Sequence, residues 1–206
     1  MDNRLFFPAT QRNRNYIGDV LSGFIRKNGS ILEIGSGSGE HAVAFQKRFP
    51  EIVWQTSDPD LMHIKSISSW IKYEELNKKM PQPIMLNVEN IPWEIPLKLA
   101  HSLQGIVSIN MIHVARWTST IALFKESGRL LNRGQYLILY GPFKIANKHT
   151  SQSNSLFDYS LKMQDELWGI RNLEEVSLEG EKNGFYQEEP ICMPANNFSI
   201  IYRKVF

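Results

Sequence analysis

The chain has 206 residues, 42% hydrophobic and 21% charged, with 23 basic and 21 acidic side chains giving a net charge of +2. That is the composition of an ordinary soluble globular protein, long enough to bury one sizeable core. Without a long basic run, nucleic acid is not expected as a partner, and without an apolar run of spanning length neither is a membrane. The single Cys192 rules out an intramolecular disulfide and a multi-cysteine zinc site, leaves no metal centre to expect, and suits a reducing, cytoplasmic setting. The opening Met-Asp-Asn-Arg-Leu-Phe-Phe-Pro lacks the apolar core that a signal peptide needs.

Residues 1–12 read as irregular, because Pro8 discourages an early helix. Tyr16, Ile17, Val20, Leu21, Phe24 and Ile25 then make an apolar stripe at helical spacing, ended by Asn28-Gly29. The plain reading is a helix packed on a sheet. The functional one folds Ala9-Thr-Gln-Arg-Asn13 over a ligand, so that Arg12 or Asn13 reaches a carboxylate. Ile31-Leu-Glu-Ile34 is a short buried strand running into Gly35, Gly37 and Gly39, and then into the helical pattern His41–Arg48. In an open α/β sheet, strand, glycine turn and helix build a nucleotide site at the carboxyl end of the first strand. The glycines admit a ligand close to the main chain, and the helix offers free N–H groups.

Two well-known loops do not fit. A phosphate-cradling loop needs Gly-Lys-Ser/Thr at its end, and no Lys follows Gly37 or Gly39. A Gly-x-Gly-x-x-Gly/Ala dinucleotide loop counted from Gly35 meets Glu40 at its sixth position, a carboxylate where a pyrophosphate should dock. The match survives only when shifted to Gly37, Gly39 and Ala42, too far into the helix.

Ile52–Ser57 is the second strand, and Asp58 follows it nineteen residues after Gly39. A carboxylate at that distance supports nucleoside binding and suits more than one cofactor. Leu61, Ile64, Ile67, Trp70 and Ile71 mark an amphipathic helix, Pro83–Val88 a short strand, and Ile91–Pro96 a proline-broken connection. Gln104–Asn110 is the fourth strand, leading to Met111-Ile-His-Val114 and a core-facing helix through Leu131. Carboxyl strand ends face the ligand crevice, so Asn110 and His113 are candidate catalytic residues. His113 is the best general-base candidate, its unperturbed pKa lying near neutrality; the alternative is a histidine that caps or packs the helix start.

Arg133–Tyr140 gives the fifth strand, with Gly141-Pro-Phe143 turning after it. Tyr140 and Phe143 are placed to line a site. A polar segment over 144–154 precedes a helix from Ser155 to about Trp168, and a further helix runs from Leu173 to Lys182. The end reads as an antiparallel hairpin, Phe185–Met193 against Phe198–Val205.

The Glu-x-Gly-x-Gly-x-Gly loop resembles that of the class I methyltransferases, which use S-adenosyl-L-methionine. The closing hairpin completes the same fold: Rossmann-like α/β, with a seven-stranded mixed sheet ending in an antiparallel pair. The set Pro8-Ala-Thr-Gln-Arg-Asn13, Asn110-Met-Ile-His113, Tyr140-Gly-Pro-Phe143, Phe157-Asp158, Trp168-Gly-Ile-Arg171 and Met193-Pro-Ala-Asn-Asn197 narrows the resemblance. It is similar to the methyltransferase-like-26 group, a family of unknown function (DUF938), over nearly the full length.

The resemblance implies a single domain over 1–206, with 1–29 as an N-terminal cap segment and helix and 144–172 as a substrate-side insertion. It implies a methyltransferase for a small molecule of unknown identity. Gly35, Ser36, Gly37 and Gly39 would approach the cofactor, Glu33 would orient the loop or the cofactor's amino group, and Asp58 would accept from the ribose hydroxyls. Asn87 stands where the family pattern often has an Asp on the adenine, and Arg12 would reach the cofactor's carboxylate. Asn110 would serve both cofactor and substrate, His113 would handle the nucleophile's proton, and Tyr140 would face the sulfonium or a cationic substrate. The Asn/Asp-Pro-Pro-Tyr motif of many amino-directed methyltransferases is absent. Two other readings stand beside this one: a nicotinamide-dependent oxidoreductase, disfavoured by Glu40 and the hairpin, and a non-catalytic scaffold that keeps a cofactor fold.

Overall fold

The computed structural model describes residues 2–206. They divide into two compact units, the first ending at Val107 and the second running from Ser108 to Phe206.

In the first unit, α1 (Pro8–Leu21) begins earlier than the sequence pattern suggests. Pro8 occupies the first helical turn, where its missing N–H costs nothing and its fixed φ suits a helix, so the proline expected to discourage a helix starts one. The helix also stops at Leu21, short of Phe24 and Ile25. It is followed by β1 (Ser30–Ile34), α2 (Glu40–Arg48), β2 (Val53–Asp58), α3 (Leu61–Tyr73), β3 (Ile84–Met85) and α4 (Leu97–Ser102), and then by β4 (Leu103–Ile109), whose last two residues are counted with the second unit. β1 and β2 pair in parallel from Ser30↔Val53 to Ile34↔Ser57, β3 adds in parallel beyond β2, and β4 lies on the other side of β1. β3 keeps two residues of the six expected, since its run is short and its neighbours turn.

All five residues of β1 are buried, as expected of a parallel strand covered on both faces. Leu32, Phe45, Trp54, Ile67 and Ile71 are at most 1% exposed and form this unit's core. α3 starts cleanly because the Asp60 side chain accepts from the Met62 N–H at 2.7 Å, an N-cap.

The second unit carries α5 (Trp117–Leu130), β5 (Tyr136–Gly141), the small ribbon β6 (Lys144–Ile145) with β7 (Lys148–His149), α6 (Gln152–Gln164) and α7 (Leu173–Lys182). Three further strands close it: β8 (Phe185–Gln187), β9 (Ile191–Met193) and β10 (Asn197–Lys204). β10 runs antiparallel to β5, from Phe198↔Gly141 to Arg203↔Tyr136, and on its other edge pairs antiparallel with both β8 and β9. The expected strand Phe185–Met193 thus breaks into two short ones on one partner. Pro190 sits in the break and cannot donate to a ladder. α6 starts three residues earlier than its pattern suggests, capped by Ser151, whose hydroxyl accepts from the Asn154 N–H at 3.1 Å.

The core of this unit forms around Phe124, whose ring meets Tyr202 edge-on at 4.9 Å and Phe185 at 5.9 Å. Gly180 of α7 lets that helix close on both rings, since a Cβ there would stand 3.1 Å from each of Phe124 and Tyr202. Among the described residues no helix is long and apolar enough to cross a membrane, and no His/Cys/Asp/Glu group could hold a metal ion.

Candidate functional site

The glycine loop is built by three positive-φ residues after β1: Gly35 at 71°, Gly37 at 56° and Gly39 at 89°. Residues with a Cβ resist these angles, and Gly39 has a second constraint, because a Cβ there would stand 2.9 Å from the backbone of Ile67. Ser36 stitches the loop to β2: its N–H donates to Ser57 O at 2.9 Å, and its hydroxyl accepts from the Ser57 N–H at 3.2 Å. The carboxylate of Asp58 then receives the loop directly. Its Oδ2 accepts from the Gly37 N–H at 2.9 Å, while Oδ1 accepts from the Asp60 N–H at 3.0 Å and lies 2.9 Å from Nδ1 of His63.

Beneath the loop, Glu33 is 1% exposed and accepts from the Trp54 indole N–H at 2.8 Å. Burial pushes its carboxyl up to about 7, and the nearby Asp58 charge adds to that, against the pull of Trp54 and Ser36. Asn87 is exposed and closes an Asx turn by accepting from the Glu89 N–H at 3.0 Å. It lines a cavity of about 640 Å³ with Met85, Ile91 and Trp93. Arg12 is exposed on α1, whereas Asn13 is buried with its Oδ1 2.8 Å from Nε2 of His41.

Two residues of this unit carry more than their sequence context suggests. Glu40, which the loop spacing presents only as an obstacle to a pyrophosphate, is 4% exposed and anchors the N-terminal stretch of chain: it accepts from the Phe7 N–H at 2.6 Å and from the Ser38 hydroxyl at 2.9 Å. His63 braces Asp58 from the first turn of α3. The signal for His63 is its spacing of five residues from Asp58; nothing local announces Phe7.

In the second unit Asn110 stands at φ 61°, a left-handed angle that Asn tolerates better than most, with its N–H donating to Tyr140 O at 2.7 Å. It remains half-exposed. His113, in the short turn after it, is fully enclosed, and neither ring nitrogen has a hydrogen-bond partner of normal geometry among the described residues. Burial first, and the charge of Arg171 second, push its imidazole down to about 3, so it is neutral. The ring meets Phe143 edge-on at 5.2 Å, and a Cβ on Gly141 would stand 2.5 Å from Nε2. Tyr140 is 3% exposed, inside β5, and Phe143 is fully buried.

The remaining motifs gather around this turn. Arg171 donates from Nε to Ile112 O at 2.9 Å and from Nη2 to Ala115 O and Leu167 O, while the Gly169 N–H donates to His113 O at 2.9 Å. Asp158 accepts from the Ile170 N–H at 2.7 Å and is ringed by Lys162, His149 and Lys144 at 3.0, 3.0 and 3.3 Å. Burial alone would raise its carboxyl; those partners outweigh it and hold it at about 2. Gly169 and Arg171 therefore clamp the His113 turn, and Asp158 holds the Ile170 backbone between them, roles visible only once the chain is folded.

A parallel sheet carrying a glycine turn after β1 and a carboxylate after β2, closed by antiparallel strands, defines the class I methyltransferase fold. The chain belongs to the family described as "Protein of unknown function (DUF938)", whose model matches residues 4–204. Its fold is similar to that of the pyocyanin biosynthetic protein PhzM, with a TM-score of 0.76 at 14% identity, over 96% of this chain and 56% of that one. It is also similar to human N-acetylserotonin methyltransferase, solved in complex with SAM, with a TM-score of 0.73 at 14% identity over 96% and 53% of the two chains. This chain thus spans little more than half the length of those two proteins. A putative sarcosine dimethylglycine methyltransferase from Galdieria sulphuraria matches over 98% of this chain and 92% of its own, with a TM-score of 0.73 at 13% identity.

Proposed function

We propose that this chain is an S-adenosyl-L-methionine-dependent methyltransferase acting on a small molecule in the cytoplasm. The observation that carries the reading is the Asp58 carboxylate at the end of β2, bonded to the backbone of the glycine loop. A carboxylate oxygen accepts more than one hydrogen bond, and Oδ2 of Asp58 takes one from Gly37, which leaves it an acceptor for a ribose hydroxyl. This acceptor therefore fits the ribose of S-adenosyl-L-methionine, which when bound would supply an electrophilic sulfonium methyl.

This chain's residues divide the remaining work. Gly35, Ser36, Gly37 and Gly39 keep the loop backbone open to close approach, with Glu33 bracing it from below through Trp54. Asn87 keeps its amide N–H₂ for an adenine ring nitrogen while its oxygen holds the turn. Arg12, exposed on α1, would meet a carboxylate. Methyl transfer from a sulfonium needs little covalent help, so positioning and exclusion of water carry most of the rate. Asn110 is the half-exposed group for the acceptor. His113, expected as the general base, is enclosed against Phe143 and held neutral by burial, so its part here is to pack the turn that carries Asn110, and Tyr140 acts through its backbone oxygen on Asn110. The segment 144–172 is the substrate-side element of this proposal.

The test is calorimetric titration of S-adenosylmethionine and S-adenosylhomocysteine into wild type and Asp58→Ala. Micromolar binding that the variant loses is the expected result. Wild type that binds neither ligand overturns the reading, and nicotinamide cofactors become the next ligands to titrate.

A further inference from the structure

The segment before α1 is docked on the glycine loop with more contacts than a loose terminus would make. The Leu5 N–H donates to Ser66 Oγ at 2.8 Å, and that hydroxyl donates on to Ser38 O in the loop at 2.7 Å. Leu5 O accepts from the Trp70 indole at 3.0 Å, and the Arg4 guanidinium lies 3.5 Å from the Tyr73 ring centroid. At its end, the Phe7 N–H is held by Glu40, the first residue of α2, which also takes the Ser38 hydroxyl. A buried carboxylate is costly unless hydrogen-bonded, so Glu40 stabilises the docked segment strongly over a free one.

What this docking positions is the Phe7 ring. A Cβ on Gly37 would stand 3.1 Å from it, and it meets the His63 ring edge-on at 5.9 Å. Gly37 and His63 are two of the groups that hold the Asp58 carboxylate. Phe7 as a residue nevertheless stays 40% exposed. A half-exposed phenylalanine beside a carboxylate that can accept from ribose hydroxyls is a pairing that suits a nucleoside, since every base and its sugar offer a face to stack or pack.

We propose that Phe7 is a cofactor-contact residue, the aromatic wall of the nucleoside subsite, and that Glu40 is its positioning residue. The inference rests on the cofactor reading above and names a part of that site outside the glycine loop. Glu40 thereby has a use in the very position that disqualifies the loop for a pyrophosphate.

The experiment is calorimetric titration of S-adenosylhomocysteine and of 5′-methylthioadenosine, which keeps the nucleoside and lacks the amino acid, into wild type and variants. Phe7→Ala should weaken both ligands alike, by about tenfold, within the range that base–aromatic stacking supplies. Phe7→Leu, which keeps apolar bulk without the ring, should fall between and decides the matter where the alanine variant unfolds. Glu40→Ala should repeat the loss, Glu40→Gln should retain most of the affinity because its amide oxygen still accepts from Phe7, and Phe7→Ala/Glu40→Ala should be no weaker than Phe7→Ala alone. Wild type that binds while folded Phe7→Ala and Phe7→Leu bind equally well overturns the proposal. So does a loss confined to S-adenosylhomocysteine, which would place the ring at the amino-acid end. Wild type that binds neither ligand instead removes the cofactor reading itself.

Discussion

Glu33→Gln should stabilise the unliganded protein at alkaline pH and change little in mild acid. The carboxyl of Glu33 is fully buried, and that burial moves it from 4.5 up to about 7. Between those values the folded state keeps a proton that the unfolded state has released, so wild-type stability falls as pH rises from about 4.5 to about 7 and is flat above. At ~1.36 kcal/mol per pH unit, a gap from 4.5 to about 7 gives about 3 kcal/mol in full, most of which develops between pH 5 and 8. A glutamine at this position cannot ionise, and its amide oxygen can still accept from Trp54, so the variant is spared this loss.

His41 and His113 work in the opposite sense. Burial pushes both down to about 3, so their contribution grows as pH rises towards 6.5. Both proteins contain them, and the difference between the two isolates Glu33. Urea unfolding at pH 5, 6, 7 and 8 should show Glu33→Gln gaining on wild type by about 2–3 kcal/mol across the series, or roughly 5–10 °C in Tm for a chain of this size. A difference that stays constant over that range would mean that Glu33 is ionised throughout, and would refute the assignment of a protonated carboxyl beneath the loop.

Gly39→Ala combines a left-handed φ with a clash against the Ile67 backbone, so it should cost at least ~2 kcal/mol. Gly37→Ala meets only the edge of the Phe7 ring and should cost less, and part of its cost should vanish in a Phe7→Ala background; chemical denaturation of the four proteins checks both statements. Gly141→Ala pushes a methyl against His113 and Asn110 and should cost ~1–3 kcal/mol, with Gly141→Ala/His113→Ala costing less than the sum of its parts; strict additivity would contradict the contact. Asp158→Asn should cost about 2 kcal/mol near pH 7. The Asp158 carboxyl lies at about 2 against 3.8 when free, so wild type should keep its advantage above about pH 4 and lose it as pH falls towards 2, measured by acid-dependent unfolding.

Most of the scaffold is legible in the chain because local signals and tertiary placement agree there. The run Ile31–Ile34 is apolar enough to read as a buried strand, the glycines after it announce positive φ, and the run Ile52–Ser57 reads as a strand that ends beside Asp58; each is found close to where the pattern puts it. The helix start at Pro8 is misleading in the sequence because proline is both a breaker and a good first-turn residue, and only the residues after it decide between the two. The strand after Phe185 reads as one because periodicity survives across Pro190, while hydrogen bonding does not.

The sequence by itself determined the fold class and the place of the glycine loop, since the loop rests on spacings within a few residues and the fold on the order of strands and helices along the chain. Tertiary structure alone decided the protonation and exposure of the groups that fill the site. Burial leaves Glu33 half-protonated near neutral pH and holds His113 neutral, and no residue adjacent in the chain encodes that burial. It also brought Phe7 to Gly37 and Arg171 to the His113 turn, contacts between residues far apart in the chain. Such contacts exist only where packing has already met the entropy of closing the intervening loops.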